Sequence, residues 1–151
     1  MPYTKRLIGL LLLVTSSAAQ ALDPILPDAK LTPGAVRSTD PAEICHSGYS
    51  RSVRHTSGKL KRHVYAEYRI NKSSGHYEVD HLVPLSIGGA DRLENLWPQS
   101  RDTQPWNANV KDRLENYLHI EVCAGRIPIT DAQSAISKNW IAAYEKYIGE
   151  N

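Results

Sequence analysis

The chain has 151 residues, 41% of them hydrophobic, with 18 basic and 16 acidic side chains and a formal net charge of +2. That size fits one compact domain with a modest core. So small a net charge excludes a polycation that grips nucleic acid by charge alone.

Lys5 and Arg6 precede an apolar stretch from Leu7 to Val14, and small residues then lead to Ala19-Gln20-Ala21. This order predicts a secretory signal peptide over residues 1–21, cleaved after Ala21. The apolar run is far shorter than the roughly 20 residues a membrane span needs. The expected product is therefore exported, periplasmic or secreted, without stable membrane association. Without Lys5 and Arg6 the basic residues fall to 16, equal to the 16 acidic ones.

Residues 22–44 hold Pro24, Pro27, Pro33 and Pro41 without apolar periodicity and read as an extended lead-in. The remaining domain is expected over 45–151. Cys45 and Cys123 are its two cysteines, an even number that predicts one disulfide in an exported protein. A zinc site is the rival, disfavoured because no C-x-x-C occurs.

Between Arg51 and Lys72 seven basic residues face only Glu67. Arg51, Arg54, Lys61, Arg62 and Arg69 are the candidates here for phosphate contacts. Leu60, Val64 and Tyr68 recur every four residues and predict a short helix between Lys59 and Ile70. His76 to Leu85 reads as an extended strand ending near Pro84. Gly88-Gly89 marks a loop, and Asn95-Leu96-Trp97 a short returning strand.

Pro105 is expected at a first helical position, followed by an apolar stripe through Val110, Leu114, Tyr117 or Leu118, and Val122 that stops near Gly125. Thr130 and Gln133 form a T-x-x-Q capping box for one last helix carrying Ala132, Ile136, Trp140 and Tyr144. The fold class is α+β. Trp97, Trp106 and Trp140 are expected in the core, since the chain has no Phe.

The chemistry concentrates in Glu78-Val79-Asp80-His81-Leu82-Val83-Pro84-Leu85. A neutral imidazole can take a proton from water near physiological pH. A carboxylate is a hard oxygen ligand for Mg2+. On a regular strand, neighbours point to opposite faces, so only a bent strand end would aim both at one phosphate. Asn95 can hold the base or its loop in place. Lys111 and Arg113 are further candidates for phosphate contact.

The run Val-Asp-His-Leu-Val-Pro-Leu-x-x-Gly-Gly-Ala, followed by Leu-Glu-Asn-Leu-Trp-Pro-Gln, resembles the ββα-metal finger of HNH endonucleases. It is similar in particular to small exported bacterial HNH proteins, with likeness over roughly residues 45–145. The resemblance implies a small ββα-metal finger with flanking helices. It also implies His81 as general base, Asp80 as ligand of one divalent ion, and Asn95 as the residue orienting the histidine. The ion is expected to be Mg2+, with Mn2+ or another divalent ion as alternatives. The helix-borne ligand is assigned to Asn109, with Asn107 as the alternative. The implied activity is hydrolysis of DNA, with RNA as a second substrate, at low sequence specificity and leaving a 5′ phosphate. A catalytically silent nucleic-acid-binding module is the alternative reading.

Overall fold

The computed structural model describes residues 25–149, so the signal sequence expected over 1–21 lies outside the described residues. Two short helices, α1 (Pro41–Ile44) and α2 (Tyr49–Ser52), precede α3 (Gly58–Glu67). The hairpin strands are β1 (Tyr77–His81) and β2 (Leu96–Ser100). Three helices follow: α4 (Ala108–Cys123), α5 (Ile129–Lys138) and α6 (Trp140–Tyr147). The fold is mixed α+β, and the two strands form an antiparallel sheet in which His81 lies opposite Leu96 and Asp80 opposite Trp97.

Helix α3 begins where the Ser57 hydroxyl accepts the Leu60 N–H. It ends earlier than the expected Ile70, because Arg69 enters the left-handed region at φ 54°. The Arg69 and Ile70 N–H groups then turn back to the Ala66 and Tyr65 carbonyls, closing the helix. Strand β1 likewise stops at His81 rather than near Pro84, and residues 82–95 fold into a compact loop. Its two glycines are steric necessities. A Cβ at Gly89 would lie 1.8 Å from the Val83 carbonyl oxygen, and one at Gly88 2.1 Å from that of Ser38.

Helix α4 starts at Ala108, not at Pro105, because the Asn107 side chain accepts the Val110 N–H and caps it. Its inward stripe is Ala108, Lys111, Leu114, Leu118 and Val122. Lys111 is thus buried among apolar residues of the core. The Thr130–Gln133 capping box does not form, because α5 starts after Pro128 with Thr130 already inside it. Gln133 is drawn inward instead, donating to the Ser38 and Ile87 carbonyls at 2.8 and 2.7 Å. The single last helix is two, broken at Asn139, whose side chain accepts the Ile141 and Ala142 N–H groups and caps α6.

The core joins the loop after β1 to α4, α5 and α6 through Leu82, Ile87, Trp97, Leu114, Ile136 and Trp140. Trp97 and Trp140 are fully buried, and Trp106 packs edge-on against Trp140 and Tyr144. Cys45 and Cys123 form a disulfide that ties the end of α1 to the end of α4. The Pro-rich segment before α1 is no free linker over its described part. Its Thr32 hydroxyl donates to the Leu96 carbonyl, Gly34 N–H to Glu94, and Arg37 N–H to Gly88. The segment therefore straps the loop between the strands. Among the described residues no helix is long and apolar enough to cross a membrane.

Candidate functional site

The hairpin delivers Asp80 and His81 to the mouth of the loop, and their side chains engage opposite neighbours. His81 turns toward the loop, where its Nε2 meets Asp91 Oδ1 at 2.8 Å. Both side chains are almost wholly buried, 4% and 6% exposed. Asp91 also accepts the Thr56 hydroxyl and the His55 backbone N–H. One carboxylate therefore ties the catalytic candidate to the segment that carries Arg54 and His55.

Burial pushes the His81 imidazole below the ordinary histidine range, outweighing the pull of Asp91 and Asp80 toward the protonated form. Burial would raise the Asp91 carboxyl, but the hydrogen bonds from Thr56, His55 and His81 outweigh it and hold the group below the usual carboxylate range. The pair at neutral pH is thus a neutral imidazole beside an ionised carboxylate. With Asp91 as acceptor, the ring proton resides on Nε2 and Nδ1 is left as the basic nitrogen.

Asn95, fully buried, holds the loop itself. Its Oδ1 accepts the Val83 N–H at 2.9 Å, and its Nδ2 donates to the Val83 and Ala90 carbonyls at 2.8 and 2.9 Å. The second of these carbonyls belongs to the residue before Asp91. Asn95 therefore sets the position of the carboxylate that orients His81.

Asp80 leaves the strand toward α4, where its Oδ2 accepts from Lys111 Nζ at 2.7 Å. The same ammonium donates to the His81 carbonyl at 2.7 Å and to Glu115. Burial would strip Lys111 of its proton, but Asp80 and Glu115 outweigh this and keep it charged. Burial pushes the Glu115 carboxyl up, to about 7, against the attraction of Lys111. Two more carboxyls lie in the field of Asp80: burial first, and then that negative charge, raise both Glu78 and Asp112. Arg101 bridges the group, pairing with Glu78 and donating to Asn109 Oδ1 at 3.0 Å.

As arranged in this structure, the residues nominated for a divalent ion are engaged with other partners. Asp80 is already neutralised by Lys111. Asn107 is 7% exposed and spends its side-chain oxygen on the α4 N-terminus. Asn109 is exposed and bound to Arg101. Among the described residues no three His, Cys, Asp or Glu side chains converge to hold a metal.

The expected phosphate contacts divide in two. Arg51, Arg54, Lys61, Arg62 and Arg69 are exposed, and none has an ion-pair partner among the described residues. Arg54 is near enough to His81 for its charge to depress the imidazole further. Arg113 is exposed and lies over the Tyr144 ring at 5.5 Å. Lys111, expected on the same contacting face, is instead fully buried.

Sequence reasoning missed Asp91 and the inward course of Lys111. The first has no local signal beyond its place directly after the Gly-Gly-Ala turn. The second had one, since positions 111, 114, 118 and 122 share one helical face. In comparisons with protein-family models, curated proteins and solved structures, nothing matches the chain.

Proposed function

We propose that the chain is an exported endonuclease of the HNH type, hydrolysing phosphodiester bonds in DNA, with RNA as a second substrate, through His81 as general base. The observation that carries this reading is the buried His81–Asp91 pair at the end of β1. An imidazole kept neutral by its surroundings, with its tautomer set by a carboxylate, is poised to take a proton at Nδ1. The order hairpin, Asn-stapled loop and following helix supports the family assignment, and the disulfide supports an oxidising compartment.

In this reading a water loses its proton to His81 Nδ1 as its oxygen attacks phosphorus, the bond to the departing 3′ oxygen breaks, and that oxygen takes a proton from solvent to leave as a hydroxyl. Asp91 stabilises the imidazolium that results. The exposed arginines and lysines from Arg51 to Arg69, with Arg113, hold the phosphate backbone and read no bases, giving low sequence specificity. No step is assigned to a metal. An Mg2+ or Mn2+ ion at Asp80 would have to displace Lys111, and a metal titration of cleavage answers that expectation directly.

The test is nicking of supercoiled plasmid by wild type and His81→Ala, in Mg2+, in Mn2+ and in EDTA. Wild type should cleave, and His81→Ala should bind DNA in a gel shift without cleaving it. A second reading, a catalytically silent nucleic-acid-binding module, draws on the near-complete burial of His81. It requires binding that weakens with salt and no cleavage by wild type under any of the three conditions.

A further inference from the structure

The surroundings of Lys111 describe a cation site. Three oxygens converge on its Nζ: Asp80 Oδ2 and the His81 carbonyl, each at 2.7 Å, and a carboxylate oxygen of Glu115. An ammonium has three donors, so every one of them is used. Lys111 itself is 0% exposed, whereas the Asp80 and Glu115 side chains keep 17% and 19% of their exposure. Solvent therefore touches the carboxylates but not the charge between them.

Two carboxylates and a backbone carbonyl around one point are the donors that hard divalent cations take, at about 2.0–2.6 Å. The ammonium sits only slightly farther from its oxygens. A lysine buried without such partners would lose its hydration uncompensated, so the apolar stripe of α4 would not otherwise accept one at this position. Asp112 and the Glu78–Arg101 pair supply the remaining charge facing this point.

We infer that Lys111 is a tethered cation filling a site built of divalent-ion ligands, so that Asp80 and Glu115 bind no metal in the native chain and acquire one when the lysine is shortened. The lysine thereby pins the end of β1 to α4 through the His81 carbonyl, independently of metal supply. This inference goes beyond the proposed nuclease activity and does not rest on it, because the test reads metal binding and not cleavage.

The experiment titrates Mn2+ into the purified chain and into Lys111→Ala, following calorimetric binding and thermal unfolding. Millimolar Mn2+ should leave the wild-type Tm unchanged. Lys111→Ala should bind one ion at least about ten-fold more tightly than wild type, with a rise in Tm, and the added substitution Asp80→Asn should abolish the response. Should Lys111→Ala be unfolded without metal, Mn2+ should restore its folding. The inference is overturned if wild type takes up an ion that Asp80→Asn removes. It is equally overturned if Lys111→Ala, folded or not, gains neither binding nor stability from Mn2+.

Discussion

Replacing Asn95 by Ala removes a side chain with no solvent exposure and three hydrogen bonds to the backbone of the loop. Each such bond contributes about 1 kcal/mol net, and a buried backbone group left unpaired costs about 1–3 kcal/mol. Val83 N–H, Val83 C=O and Ala90 C=O all lose this partner, so the expected loss is about 3–5 kcal/mol. Against a total of roughly 5–15 kcal/mol for a domain, that is a large share. In Tm it corresponds to a fall of roughly 10–20 °C. Asn95→Asp should be no milder, since it keeps the acceptor but loses both donated bonds and buries a charge. Urea unfolding measures this as a drop in midpoint at constant m-value. A loss below about 1 kcal/mol in Asn95→Ala would show that the amide does not hold the loop, and the reasoning from Asn95 to the position of Asp91 would fail.

Asp91→Asn should keep the fold, by circular dichroism, while cleavage falls about a hundredfold or more, because the amide no longer fixes the His81 tautomer or stabilises the imidazolium. Undiminished cleavage would make Asp91 a purely structural partner. Cys45→Ser with Cys123→Ser removes a cross-link spanning 78 positions and should cost about 4–5 kcal/mol on the chain-entropy model, read as a lowered urea midpoint. His81 titrates below its ordinary value of about 6.5 in the folded chain, so between the two values the unfolded chain binds a proton that the folded chain refuses. Its contribution to stability is full above about 6.5 and is lost as pH falls through the folded value; urea midpoints at stepped pH should fall less steeply in His81→Gln than in wild type.

Much of the site's frame was legible because it depends on local chemistry. Asp80 and His81 stand out as titratable residues within an apolar run, the Gly-Gly pair marks a loop, and Asn95 before Leu-Trp marks the return of the hairpin. The pairing of Cys45 with Cys123 followed from there being no other cysteine in the chain. What the sequence hid depends on the folded loop. Asp91 reaches His81 only because residues 82–95 curl back, and no periodicity records that. Lys111 is a candidate for phosphate contact by residue type, although its spacing to Leu114, Leu118 and Val122 places it on the inward face of α4. The segment before α1 was illegible for another reason: its attachments are mainly backbone hydrogen bonds, which carry no side-chain signature. Asn139 lies inside the span of the one last helix that the sequence predicts, and its side-chain cap splits that span in two.

The most direct test of the central claim is plasmid nicking by the purified chain, run beside His81→Ala at matched DNA occupancy. Wild type should convert supercoiled to open-circular DNA, while His81→Ala should show normal binding and a loss of about two or more orders of magnitude in rate. Equal cleavage by the two proteins, or none by wild type in Mg2+, Mn2+ or EDTA, would contradict that claim.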